Sequence, residues 1–178
     1  VVVVDPRCHH PSGVLQGRGQ LFPVGGIEQD GQIYQAHGFP VSDHLLRIWT
    51  ATAASSTAYA IDLANLTGGW KELPLWAGSG RMLAQAAGTK DTFFLFGGVA
   101  LTAGAKGAER EYLTDCHAFT LGKEWRRIAA LPRPIAAAPT PCPFIGEQAL
   151  LIGGDDGSLA GKVEAAKHPG FSKKILSY

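Results

Sequence analysis

Apolar residues along this chain come in short bursts rather than long stripes. The strongest, "TFFLF" at 92–96 and "ALLI" at 149–152, each run straight into a glycine pair, Gly97-Gly98 and Gly153-Gly154, 56 residues apart. Softer bursts recur at a similar spacing: "AYAIDL" at 58–63, "DCHAFTL" at 115–121 and "KKILSY" at 173–178 place Tyr59, Phe119 and Tyr178 at intervals of 60 and 59. "GWKELP" at 69–74 and "EWRRIAALP" at 124–132 place Trp70 and Trp125 55 apart. Ahead of each strong burst stands a small-residue run opened by an arginine: Arg81 before Ala84, Ala86 and Ala87, and Arg133 before Ala136, Ala137 and Ala138. Short apolar runs bounded by glycine and proline are strand signals, whereas an amphipathic helix needs a longer 3.6-residue rhythm. The most helical pieces, around 43–53 and 160–167, are short and interrupted. The pattern predicts an all-β chain.

Each unit thus reads small-residue strand, apolar strand ending in Gly-Gly, long loop, aromatic strand, Trp strand. Four strands repeated every 55–60 residues predict four-stranded antiparallel sheets arranged as β-propeller blades. The innermost strand crowds the axis and carries alanines. The aromatic and Trp strands fill the wider outer part of the blade. The glycine pair is expected where the backbone turns and an indole packs close. These residues are evidence of fold, not of chemistry.

The unit resembles a kelch repeat: Gly97-Gly98, Phe119 and Trp125 match the pattern fully, Gly153-Gly154 with Tyr178 matches in part, and Tyr59 with Trp70 matches loosely. The resemblance covers residues 55–178. Residues 1–54 fit it poorly; "LFPVGG" at 21–26 reads as the end of a degenerate blade, but it lies 72 residues before the next glycine pair. About three blades are present where six are expected, and the last stops at its aromatic. The chain reads as a partial propeller, either a piece of a longer protein or one of two copies that complete a ring, because an open array leaves bare strand edges.

Two long post-glycine segments, "FGGVALTAGAKGAEREYLTDCHAFTLGKEWRRI" and "LIGGDDGSLAGKVEAAKHPGFSKKILSY", are similar to successive blades of the N-acetylneuraminate epimerases, or sialic acid mutarotases, and closer still to their cyclically permuted relatives. That resemblance implies an isomerase that interconverts anomers of a free sugar acid, without cofactor, in the periplasm or outside the cell. Mutarotation opens and recloses a ring hemiketal, so one group must take the anomeric proton and another must protonate the ring oxygen. In the family the proton-transferring residue is a glutamate directly after a glycine-pair turn in a later blade. The matching positions here are Val99 and Asp155, and Glu28 of "GGIE" stands one place late. The family's acid–base residue is therefore not identified in this chain.

Composition narrows the alternatives. Apolar residues make up 46% of 178 and charged residues 17%, which is the balance of a globular protein. A net charge of +1 with no basic run gives no reason to expect nucleic acid. No apolar run is long enough to predict a membrane span. Without the family resemblance the compartment is undetermined. Cys8, Cys116 and Cys142 are an odd set with no CxxC spacing, which argues against a disulfide framework or a zinc site and leaves a Cys116–Cys142 bridge open. The histidine pairs His9-His10 and His37/His44 lack a third ligand nearby, and the Cys–Tyr constellation of a copper kelch enzyme is not recognisable.

The substrate-binding candidates are Arg81 and Arg133, whose guanidinium forks suit a sugar carboxylate, with Asp155 and Asp156 as weaker contributors. Long loops are commonly functional, and 99–114 and 155–172 carry Lys106, Glu109, Arg110, Glu111, Tyr112, Lys162, Glu164, Lys167 and His168. A second reading of function stays open: a non-catalytic kelch module that binds a protein or a glycan through these loops.

Overall fold

The computed structural model describes residues 53–178 apart from 55, 63–64, 90, 106, 121 and 164–166, together with the backbone of four short strands between 16 and 34. In chain order the strands are β1 (Gln16–Gly17), β2 (Gln20–Leu21), β3 (Ile27–Gln29), β4 (Gln32–Tyr34), β5 (Tyr59–Asp62), β6 (Lys71–Glu72), β7 (Gln85–Gly88) and β8 (Thr92–Phe96). They continue with β9 (Val99–Gly104), β10 (Gly107–Tyr112), β11 (Cys116–Thr120), β12 (Trp125–Ile128), β13 (Phe144–Ile145), β14 (Gln148–Ile152) and β15 (Ile175–Ser177). The protein is all-β; one 3-10 turn, Leu66–Gly68, is the only helical element among the described residues. Among the described residues every strand pair is antiparallel, as the repeating unit predicts.

The sheets run β1-β2-β5-β6, then β7-β8-β11-β12, then β13-β14-β15. The first draws two strands from the poorly matching N-terminal segment: β2 sets Gln20 opposite Asp62 and Leu21 opposite Ile61. Two hairpins stand outside these sheets, β3–β4 and β9–β10. Each begins at the residue that follows a glycine pair in the sequence, Ile27 and Val99. The segment 99–114 is therefore not the long loop that the sequence suggests but a ribbon in register from Val99↔Tyr112 to Gly104↔Gly107. Its alternation is weak because most of the ribbon is exposed and has no apolar face to bury.

Burial explains why β8 is apolar at every position after Thr92. Successive side chains of a strand point to opposite faces, and both faces of this strand are covered. Phe93 and Leu95 join Ala58, Ala60, Trp76, Ala84, Ala86 and Phe119 in a cluster shared with the first sheet. Phe96 joins Cys116, Ile135, Ala149 and Leu151 in a cluster shared with the third, with Phe94 packed against it. Each fully buried aromatic or branched aliphatic side chain contributes about 1.5–3 kcal/mol. Trp125 packs against Phe93, Trp76 and Phe119 at centroid distances of 5.7, 5.5 and 5.2 Å, the outer filling expected of it.

Two expectations need correction. Ala136–Ala138 do not form an inner strand: Ala136 makes one bridge, to Asp155, and the paired strand lies later, at Phe144–Ile145. Pro134, Pro139, Pro141 and Pro143 surround the alanines, and a proline has no N–H for a ladder. The glycine pair does not make room for an indole either. A Cβ on Gly97 would sit 2.5 Å from the carbonyl oxygen of Ile135, which belongs to the approach to the third sheet. The close neighbour is backbone. Cys116 and Cys142 are free, buried thiols of one cluster, and burial pushes both up to about 11. Cys8, His9, His10, His37 and His44 lie outside the described residues.

Candidate functional site

Strand direction brings the polar candidates together. β8 and β14 both end at glycine pairs, and the residues after those pairs turn back onto the approaches to the inner strands. Met82 and Val99 exchange backbone hydrogen bonds of 2.9 and 2.8 Å, and Ala136 and Asp155 exchange bonds of 2.8 and 2.7 Å. In both places the next residue, Leu83 or Ala137, has positive φ, at 57° and 52°. The device is the same, but the arginines enter it differently. Arg81 immediately precedes its bridging residue, whereas Arg133 stands three before Ala136; the position matching Arg81 is Ile135. Both arginines still reach the first glycine of the pair, Arg81 Nη1 donating to Gly97 O at 2.9 Å and Arg133 Nη2 to Gly153 O at 2.8 Å.

Their remaining donors differ. Arg81 is wholly buried and its fork is filled by Asp115: Nη1 donates to Oδ1 at 3.0 Å and Nη2 to Oδ2 at 2.7 Å, while Nε faces Ser79 O at 3.4 Å. His117, also buried, lies 2.7 Å from Asp115 Oδ2 through Nε2; an ionised carboxylate only accepts, so this nitrogen carries the proton. Trp76 lies against both, its ring 5.7 Å from the Arg81 guanidinium carbon. Arg81 therefore offers no donor to a substrate carboxylate. The signal for this cluster was in the sequence: Asp115 and His117, two apart on a strand, share a face.

Asp115 makes the cluster sensitive to acid. Burial disfavours its charge, but hydrogen bonds from His117 and Arg81, with the Arg81 charge, outweigh that and hold the carboxyl well below the usual range. A native value below the unfolded one gives stabilisation that is complete above about pH 4 and fades as pH falls from there toward the native value. We expect the gap in urea midpoint between wild type and Asp115→Asn to narrow steadily below pH 4; a gap independent of pH would exclude this origin.

Arg133 is half-buried. Its Nη1 and Nη2 donate to Pro134 O and Gly153 O, and its Nε is buried without a partner. Beside it the turn after Gly154 is built by its own carboxylates: Asp155 Oδ1 accepts from Gly157 N at 2.9 Å and Asp156 Oδ1 from Ser158 N at 3.0 Å. Hydrogen bonds from Ser158 lower the Asp156 carboxyl, and the Arg133 charge adds to this. Tyr112, at the foot of the β9–β10 ribbon, reaches the turn that follows β14 and donates its hydroxyl to Asp155 Oδ2 at 3.0 Å. Burial, then Asp155, push the phenol above its ordinary value. Gly157, at φ +77°, lies so close under the Tyr112 ring that a Cβ would overlap it. This pairing was not legible, because nothing in residue spacing brings position 112 to 155.

The other loop candidates stand apart in their bonding. Glu109, Arg110 and Glu111 are exposed on β10. Lys162 donates to Ser158 O, and His168 accepts from Gly170 N and lies against Phe171. Lys106 and Glu164 lie outside the described residues. Among the described residues no group of three or more His, Cys, Asp or Glu is placed to hold a metal, and no helix is long and apolar enough to cross a membrane.

No family model and no curated protein matches the chain. Among solved structures, that of YjhT matches with a TM-score of 0.58 at 16% identity, over 82% of this chain. The fold is kelch-like. The likeness is one of β-propeller architecture, and this chain spans 38% of the length of YjhT.

Proposed function

We propose that this protein binds a carboxylated sugar, of the sialic acid class, at the glycine-pair end of its second and third sheets and interconverts the anomers without a cofactor. Arg133 carries the reading. Unlike Arg81 it keeps guanidinium donors uncommitted, and it stands next to hydroxyl-accepting carboxylates, Asp155 and Asp156, as a sugar acid requires. The two long post-glycine segments that resemble sialic acid mutarotases frame this same end. Arg81 has another part in the proposal: it fixes the approach to β7 and touches no substrate.

Arg133→Ala is expected to weaken sugar-acid binding about 10- to 100-fold, the worth of a hydrogen-bonded charge pair. Titration calorimetry with N-acetylneuraminate, paired with anomer exchange followed by proton NMR, checks both parts. Equal affinity in wild type and variant would remove Arg133 from the site.

The alternative, a non-catalytic kelch module that binds a protein or a glycan through its loops, finds an added protein-binding feature on the third sheet. There Ile152 and its cross-strand partner Ile175 are both exposed, on strands β14 and β15, and β15 is the sheet's edge among the described residues. A discrete dimer by light scattering, with no exchange of any sugar acid, would favour it.

A further inference from the structure

Asp155 and Tyr112 form a hydrogen-bonded pair whose parts are each held in place. Asp155 stands directly after Gly154, held by backbone bonds to Ala136 on one side and by Gly157 N at Oδ1 on the other. Each carboxylate oxygen has two acceptor positions, so Oδ2 can take a second hydrogen bond beside that from Tyr112. The phenol is located just as firmly. Its ring rests on Gly157, where no other residue would leave room, and its backbone closes the ribbon opposite Val99. Both side chains are half-buried and keep surface for a ligand. The result is a base and an acid, already hydrogen-bonded to each other at 3.0 Å, in one pair that joins the ribbon to the turn after β14.

A cyclic hemiketal presents the complementary pattern. Its anomeric hydroxyl and its ring oxygen sit on one carbon, and ring opening takes a proton from the first while giving one to the second. Resting on the sugar-acid reading above, we infer that Tyr112 and Asp155 form the proton relay of this site. Asp155 Oδ2 takes the anomeric proton as Tyr112 gives its phenolic proton to the ring oxygen. The ring C–O bond breaks while the anomeric C–O becomes a carbonyl. The proton on Oδ2 then passes to the phenolate oxygen and restores the pair. Reclosure on the other face of the carbonyl runs the same steps backward. The substrate loses one proton and gains one, and no oxidant, metal or cofactor enters.

The test is anomer exchange of N-acetylneuraminate, followed by NMR, on wild type, Tyr112→Phe and Asp155→Asn, with kcat and KM separated and the pH profile recorded. Phenylalanine keeps the ring on Gly157, and thermal unfolding of each variant confirms that it folds. A positioned acid or base contributes about 10²–10⁴-fold, so we expect each variant to lose at least 100-fold in kcat with KM little changed. The alkaline limb of the profile, set by loss of the Tyr112 proton, which burial and Asp155 hold on above the ordinary phenol range, should vanish in any residual activity of Tyr112→Phe. Wild-type exchange in Tyr112→Phe would overturn the relay and leave the sugar-acid reading standing. A loss confined to KM would reduce Tyr112 to a binding group and also overturn it. Absence of exchange in the wild-type protein itself would overturn the reading and the relay together.

Discussion

Asp115→Ala should destabilise the protein by about 3–5 kcal/mol, the range for removing one partner of a buried ion pair. The reason lies with the residue left behind. Arg81 is fully buried, and without Asp115 its guanidinium would keep its charge with only backbone carbonyls, Gly97 O at 2.9 Å above all, to meet it. His117 would lose its acceptor as well. Replacing both charged residues with leucine should cost less than the single change, because no unpaired charge remains. Urea unfolding at pH 7, with the m-value unchanged, measures both. A loss below about 1 kcal/mol for Asp115→Ala would mean that water reaches the cluster and screens it.

Gly97→Ala is expected to cost about 3 kcal/mol or more, from two sources. At φ +53° an alanine carries the left-handed penalty of roughly 1–2 kcal/mol. The larger part is steric: the new methyl would lie 2.5 Å from Ile135 O and 3.1 Å from Leu113 O. Ile135 O accepts from Gly98 N at 2.8 Å, so moving it breaks a bond at the junction of the second and third sheets. Gly122→Ala is the control, since its φ is +75° but nothing lies within 4 Å of a Cβ there. If the two variants unfold at the same urea concentration, backbone conformation alone explains the glycine and the close approach is irrelevant.

How much of this could be read in advance depends on the range of the interaction. The second sheet was legible almost strand by strand, because Phe93 to Phe96, Phe119 and Trp125 are dictated by two covered faces and by outer filling. Arg81 and Arg133 looked equivalent because each opens a small-residue run. The proline-rich approach to the third sheet shifts the frame by two residues, so that Ile135 takes the buried place and Arg133 stays partly open. Asp155 and Tyr112 were each candidates by position, but their pairing was not, since residue spacing does not bring the foot of the ribbon to the turn after Gly154. The ribbon at 99–112 was hidden for the opposite reason: exposed strands carry little hydrophobic alternation, and their pairing is written mainly in backbone bonds.

That ribbon bears on how such a protein could change its preferences over time. Its strands are in register over six residue pairs, and at about 3.3 Å per residue they raise a wall of roughly 20 Å above Tyr112. Trimming or extending it by one residue on each strand near the Gly104–Gly107 tip would alter the wall's height while Tyr112 stays fixed at its foot. Under the proposed function, larger or smaller sugar acids would then be accommodated by changes far from Tyr112 and Asp155, with the sheets beneath untouched.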